Sequence, residues 1–178
     1  IGDGVTLSEG TITTINDSTH PIAGGVTLLV RQGHTGTLSN SLTNQNLLTI
    51  GLGSIVSNVQ FIGVDFDANG NNSGPYYAIR VMNNAFGVVF EEVNITNSNS
   101  FGPGFFVQAP LSNSNPIKLV RSTVQVNNSN AVSLGSSGSK LVVEHSHISA
   151  AGGETFKIGL SVELNVFDSL IVNNGTST

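Results

Sequence analysis

Apolar residues recur along the chain in one template: two alternate at period two, two positions break the alternation, and two more alternate after the break. It reads Val59-x-Phe61-x-x-Val64-x-Phe66, then Val88-x-Phe90-x-x-Val93-x-Ile95 and Ile117-x-Leu119-x-x-Ser122-x-Val124. Two further copies, Leu141-x-Val143-x-x-Ser146-x-Ile148 and Leu164-x-Val166-x-x-Ser169-x-Ile171, complete the set. The copies start 29, 29, 24 and 23 residues apart, the period of a solenoid coil rather than a propeller blade. Alternation at period two predicts short half-buried strands, and the break predicts a bend between them. A third alternating pair follows each copy, at Ile79/Val81, Phe105/Val107, Val132/Leu134 and Phe156/Ile158, which makes three strands per coil.

Segments rich in Gly, Asn, Ser and Pro separate these strands, such as Asn69 to Pro75 and Ser98 to Gly104, and supply the corners. Coils of about 23 to 29 residues with three short strands imply an all-β parallel β-helix, its strands about 4.8 Å apart along the axis. Residues 1–178 read as one such domain and as a segment of a longer chain. Near the start, Val5-x-Leu7-x-x-Gly10-x-Ile12 is expected to be another copy. Val26-x-Leu28 begins one too, but Arg31 and Gly33 then fall at inward positions, so residues 20–55 are expected to hold strands in an irregular register.

The phrase Ile55-Val56-Ser57-Asn58-Val59-Gln60-Phe61-x-x-Val64-x-Phe66 resembles the right-handed parallel β-helices of the pectin-lyase-like superfamily, over about residues 47 to 174. That resemblance implies the fold but no single activity, since the superfamily holds polysaccharide lyases, hydrolases, esterases, phage tailspikes and autotransporter passengers. The enzyme motifs it would imply are not intact. The Asp pair of polygalacturonase-like enzymes is split by Phe66 into Asp65 and Asp67, and their Arg-Ile-Lys segment meets Phe156-Lys157-Ile158, which lacks the Arg. Pectate-lyase-like enzymes use a Trp, and this chain has none.

Composition narrows the partners. Six Lys and Arg against eleven Asp and Glu give a net charge of −5, so the basic stripe that nucleic-acid binding requires is absent. Zero cysteines exclude disulfides, thiolate metal sites and a Cys nucleophile. No run of about 18 apolar residues is present to span a bilayer as a helix.

Several constellations could carry chemistry. Two residues after the second anchor, successive coils present Gly63, Glu92, Arg121, His145 and Asp168 outward, neighbours alternating in sign. This column is either a surface ion-pair ladder that fixes register, or a catalytic cluster. In the latter a carboxylate is the base, Arg121 clamps an acidic sugar and His145 shuttles protons. His147 lies two residues from His145, and with Glu144 or Asp168 the pair has the makings of a metal site. Asp65, Asp67 and Asn69 match the first half of a calcium loop, but Tyr76 stands where the closing Glu belongs. No cofactor is expected, with a surface calcium at this loop as the alternative. Tyr76 and Tyr77 stand at a corner, either packed there or stacking on a sugar ring. The corner column Asn69, Ser98, Asn127, Ala151 and Asn174 is expected to form a structural ladder of Asn side chains, interrupted at Ala151.

These readings favour a secreted or cell-surface scaffold of adhesin type, binding a polysaccharide or a host-surface glycan or protein through its polar surface without an intact catalytic motif. The alternatives are a polysaccharide lyase or glycoside hydrolase, with Glu92, Arg121, His145 and Asp168 as its catalytic candidates, and a tailspike-like glycan-binding trimer. Uncapped strand edges are expected to promote homo-oligomers or end-to-end assembly.

Overall fold

A computed structural model describes residues 5–8, 13–15, 27–29, 36–40, 46–51, 55–68, 76–98, 102–108, 115–135 and 138–175. Among these residues the structure is all-β, a parallel β-solenoid with three sheets wrapped round one core. The first sheet stacks Val5–Ser8, Gly36–Asn40, Val64–Ala68, Asn94–Asn97, Thr123–Val126, His147–Ala150 and Leu170–Asn173. The second stacks Thr27–Leu29, Gln60–Ile62, Val89–Glu91, Ile117–Val120, Lys140–Glu144 and Glu163–Phe167. The third stacks Thr13–Ile15, Leu48–Ile50, Ile79–Val81, Phe105–Val107, Val132–Leu134 and Phe156–Ile158. Val56–Ser57 and Ala85–Phe86 add a small two-stranded sheet at the turn from the third sheet into the second.

Each coil lies in register on the next, as the template predicts. Phe61, Phe90, Leu119, Val143 and Val166 stack in one column, and Phe66, Ile95, Val124, Ile148 and Ile171 in another. The inward residues are almost wholly shielded, and the Phe61 and Phe90 rings stack at 5.0 Å and 7°. Phe66 and Phe105 meet this pair edge-on, at 5.7 and 5.1 Å, an arrangement that suits the ring quadrupoles. In the last coil the same columns are open: Val166 is 39% and Ile171 40% exposed, whereas Val143 and Ile148 are 0%.

The register of the N-terminal third departs from expectation. Leu7 pairs with Leu38, which pairs with Phe66, so Val5–Ser8 is a first-sheet strand and not the second-sheet strand that its alternation suggested. Leu28 pairs with Phe61 and so begins a copy as expected. The copy then resumes at Gly36, opposite Val64, after eight residues where Phe61 and Val64 are three apart. The segment between them is thus five residues longer than its counterpart, and Arg31 and Gly33 within it lie outside the described residues. Leu48 and Ile50, opposite Ile79 and Val81, complete the third sheet in that coil.

The corner between the second and first sheets takes two residues, the first of which is left-handed in every coil where it is described: Gly63 (φ 67°), Glu92 (53°), Arg121 (46°), His145 (50°) and Asp168 (45°). The second faces inward, and from Ser122 onward it is a serine. Val93 N–H donates to Ser122 Oγ at 3.1 Å, Ser122 N–H to Ser146 Oγ at 3.0 Å, and Ser146 N–H to Ser169 Oγ at 3.0 Å. Each hydroxyl in turn donates to the carbonyl two residues back, on Val120, Glu144 and Phe167 at 2.7 to 2.8 Å. A serine ladder thus satisfies the corner amides. At the expected asparagine corner, by contrast, Ser98, Asn127, Ala151 and Asn174 are exposed and their amides continue the backbone ladder to the preceding coil. Asn69 lies outside the described residues.

Ser122 is 2% exposed, so Ser122→Ala would strand the Val93 amide in a dry corner. We expect a loss of about 1–3 kcal/mol, read as a lowered midpoint in urea denaturation, against an unchanged midpoint for Asn127→Ala at the exposed corner.

Candidate functional site

The charged column is brought together as the sequence suggested, on left-handed backbone that few residues other than glycine adopt cheaply. Arg121 Nε lies 3.1 Å from Glu92 Oε1, and its Nη2 bonds the Glu91 carboxylate, a partner that the spacing of the column did not reveal. The Glu92 bond, more than the Glu91 charge, raises the Arg121 pKa above its ordinary value. His145 Nε2 lies 3.6 Å from Asp168 Oδ2. The charges thus close into two neighbouring groups, all on open surface: the side chains of Arg121, His145 and Asp168 are 50%, 62% and 81% exposed. His147 projects from the first sheet opposite Leu170, exposed and in the column of Thr123 and Asn94.

Asp65 and Asp67 project from one first-sheet strand, opposite Asn94 and Thr96. Thr96 Oγ1 donates to Asp67 Oδ1 at 2.8 Å. Burial raises the Asp65 pKa above its ordinary 3.8, the Asn94 backbone hydrogen bond works against this, and the Asp67 charge adds to it. Asn69, the third calcium candidate, lies outside the described residues, and among the described residues no three His, Asp or Glu side chains gather as a metal site would require. Nearby, Thr96, Asn97, Ser98, Gln125 and Asn127 line a small polar hollow of about 230 Å³ without an aromatic wall.

The third sheet presents a different surface. Its outward column runs Thr49, Arg80, Phe106, Ser133, Lys157 on successive coils. Tyr77, just before the Ile79–Val81 strand, stacks on Phe106 at 4.6 Å and 20°, and the Arg80 guanidinium lies 5.6 Å from the Tyr77 ring centre and 5.9 Å from that of Phe106. Phe106 in turn lies on the backbone of Gly135, where a Cβ would come within 2.5 Å of the ring. Beside this stack opens a groove of about 350 Å³, in the size range of small-molecule sites. Tyr77, Phe106 and Pro103 form its apolar part, and Ser129, Asn130, Ser133 and Lys157 its polar part.

Neighbouring segments hold this groove in shape. Asn97, 2% exposed, donates its side-chain amide to Gly102 O at 3.1 Å and Pro103 O at 3.2 Å, pinning the segment that brings Pro103 to the groove. Gly102 lies so close to the Tyr76 backbone that a Cβ would stand 1.6 Å from Tyr76 O. Of the two tyrosines singled out from sequence, Tyr77 lines the groove and Tyr76 does not, its backbone lying against Gly102; Arg121 stands at the corner between the other two sheets. Phe106, Ser133 and Lys157 escaped the sequence reading. The signal was present, since each is the middle residue of an alternating pair already identified as inward-facing.

Compared with protein-family models, curated proteins and solved structures, the chain matches none of them.

Two measurements test this electrostatic picture. Asp65 binds its proton more tightly folded than unfolded, so its ionisation lowers stability as pH rises from the ordinary carboxylate pKa through the raised one. Asp65→Asn should therefore melt higher than the parent at pH 7, and the difference should vanish below about pH 3.8. At the left-handed corner, Arg121→Gly should melt no lower than the parent because relief of backbone strain offsets the exposed ion pairs, while Arg121→Val should melt lower.

Proposed function

We propose that this chain is a glycan-binding segment of a secreted or cell-surface β-solenoid, a non-catalytic module of adhesin or passenger type with the architecture of the pectin-lyase-like folds. The observation that carries this reading is the Tyr77–Phe106 stack beside a groove with hydroxyl, amide and ammonium groups on its other side. A sugar ring offers an apolar C–H face and a rim of hydroxyls, and the groove offers an aromatic surface and hydrogen-bonding groups to match. The platform is rigid, since Phe106 rests on Gly135 and Tyr77 rests on Phe106, so little ordering entropy is lost on binding.

The hydrolase and lyase reading draws less support. Its candidates Glu92, Arg121, His145 and Asp168 pair with one another on an exposed corner rather than converging on a cavity that would hold a substrate. The chain carries two tyrosines and no tryptophan, so tyrosine emission reports on the groove directly. In a screen against immobilised glycans, the parent should bind at least one class, and Phe106→Ala should weaken that binding ten-fold or more while its far-ultraviolet circular dichroism stays that of the parent. Retention of full affinity by Phe106→Ala and Tyr77→Ala would overturn the reading.

A further inference from the structure

We infer that the groove takes a glycan bearing an anionic substituent, carboxylate or sulfate, lying along the solenoid axis with its charge met by Lys157 and Arg80. This inference rests on the glycan-binding reading above and names the class of sugar.

The argument starts from how the few cations are used. Five of the six Lys and Arg fall among the described residues. Arg121 and Lys140 are paired with glutamates, Arg121 with Glu91 and Glu92 and Lys140 with Glu163 at 2.9 Å. Arg80, Lys118 and Lys157 meet no carboxylate among the described residues; of these Lys157 lines the groove, and Arg80 lies against the Tyr77 and Phe106 rings that form its apolar part. In a chain with eleven carboxylates, none of those among the described residues lines that groove. Its charge is therefore uncompensated, and an anion entering it meets attraction with no carboxylate wall to repel it.

Arg80 adds a second, independent observation. Its Nε is buried with no hydrogen-bond partner, and its guanidinium is held against the Tyr77 and Phe106 rings instead. Such stacking fixes the planar group, and an anion drawn to it would pair with the terminal Nη groups, the Nε being shielded. Arg80 and Lys157 are three strand spacings apart in the outward column, about 14 Å, with Phe106 and Ser133 between them. That separation suits a short oligosaccharide along the axis rather than a single sugar across it. A positive end then lies on either side of the aromatic platform.

Calorimetric and tyrosine-emission titrations at low and at physiological salt test the inference, with three oligosaccharides of equal length: a hexuronate, its methyl ester, and a sulfated neutral sugar. We expect the hexuronate or the sulfated sugar to bind at least ten-fold tighter than the methyl ester at low salt, with the advantage shrinking as salt is raised. Whichever of the two is tighter identifies the anion. Lys157→Gln should lower the ratio of anionic to neutral affinity several-fold, whereas Lys118→Gln, the same charge change on the second sheet, should leave it unaltered. Equal binding of all three sugars, or a ratio that Lys157→Gln and Lys118→Gln change alike, overturns the anionic inference and leaves the glycan reading standing. Binding to none of the three, nor to any glycan on the array, overturns both.

Discussion

Turning a chain from one parallel sheet into the next within two residues requires a backbone conformation that L-residues avoid and leaves an amide that cannot reach a strand partner. Here both demands are met at one corner, coil after coil. The left-handed residue makes the turn, and the serine after it accepts the amide of the coil before while returning its own proton to the chain. Everything else depends on that corner repeating. Because it recurs at the same place in each coil from Gly63 to Asp168, inward residues fall over inward residues, so Phe61 finds Phe90 and Val124 finds Ile148. Outward residues line up in the same way, and that alignment creates both the charged column and the aromatic groove.

The stacking was legible from Val59 onward because period-two alternation distinguishes inward from outward positions without knowledge of the turns. It failed at Val5-x-Leu7, since a first-sheet strand and a second-sheet strand alternate identically and only their position relative to a corner tells them apart. The insertion between Leu28 and Gly36 removed that reference. The serines were visible as departures from an apolar template, yet their purpose was not, because it involves an amide on another coil. The groove was hidden for a simpler reason. Phe105 and Phe106 are adjacent, one serves the core and the other the surface, and only Phe105 fitted the inward template.

Charge is distributed unevenly between the two outward arrays. At the left-handed corner Arg121 and His145 each have a carboxylate partner and the surface is close to self-sufficient. Along the third sheet the cations lean on aromatic rings or stand alone beside hydroxyls and amides. The first pattern pins one coil to the next, and the second leaves unsatisfied attraction pointing outward. A solenoid separates these tasks with ease, for its corners carry register and its flat faces are released from that duty.

The serine ladder also has a sense. Every amide in it donates toward the coil that follows in sequence, from Val93 to Ser122, Ser122 to Ser146 and Ser146 to Ser169. Coils that share this device are interchangeable parts: excising residues 117–140 would set Ser146 where Ser122 had been, with Val93 finding the same hydroxyl. Lengthening or shortening such a molecule by whole turns is therefore a small step for its sequence, and the span between two points on its surface becomes a quantity that duplication or deletion can adjust.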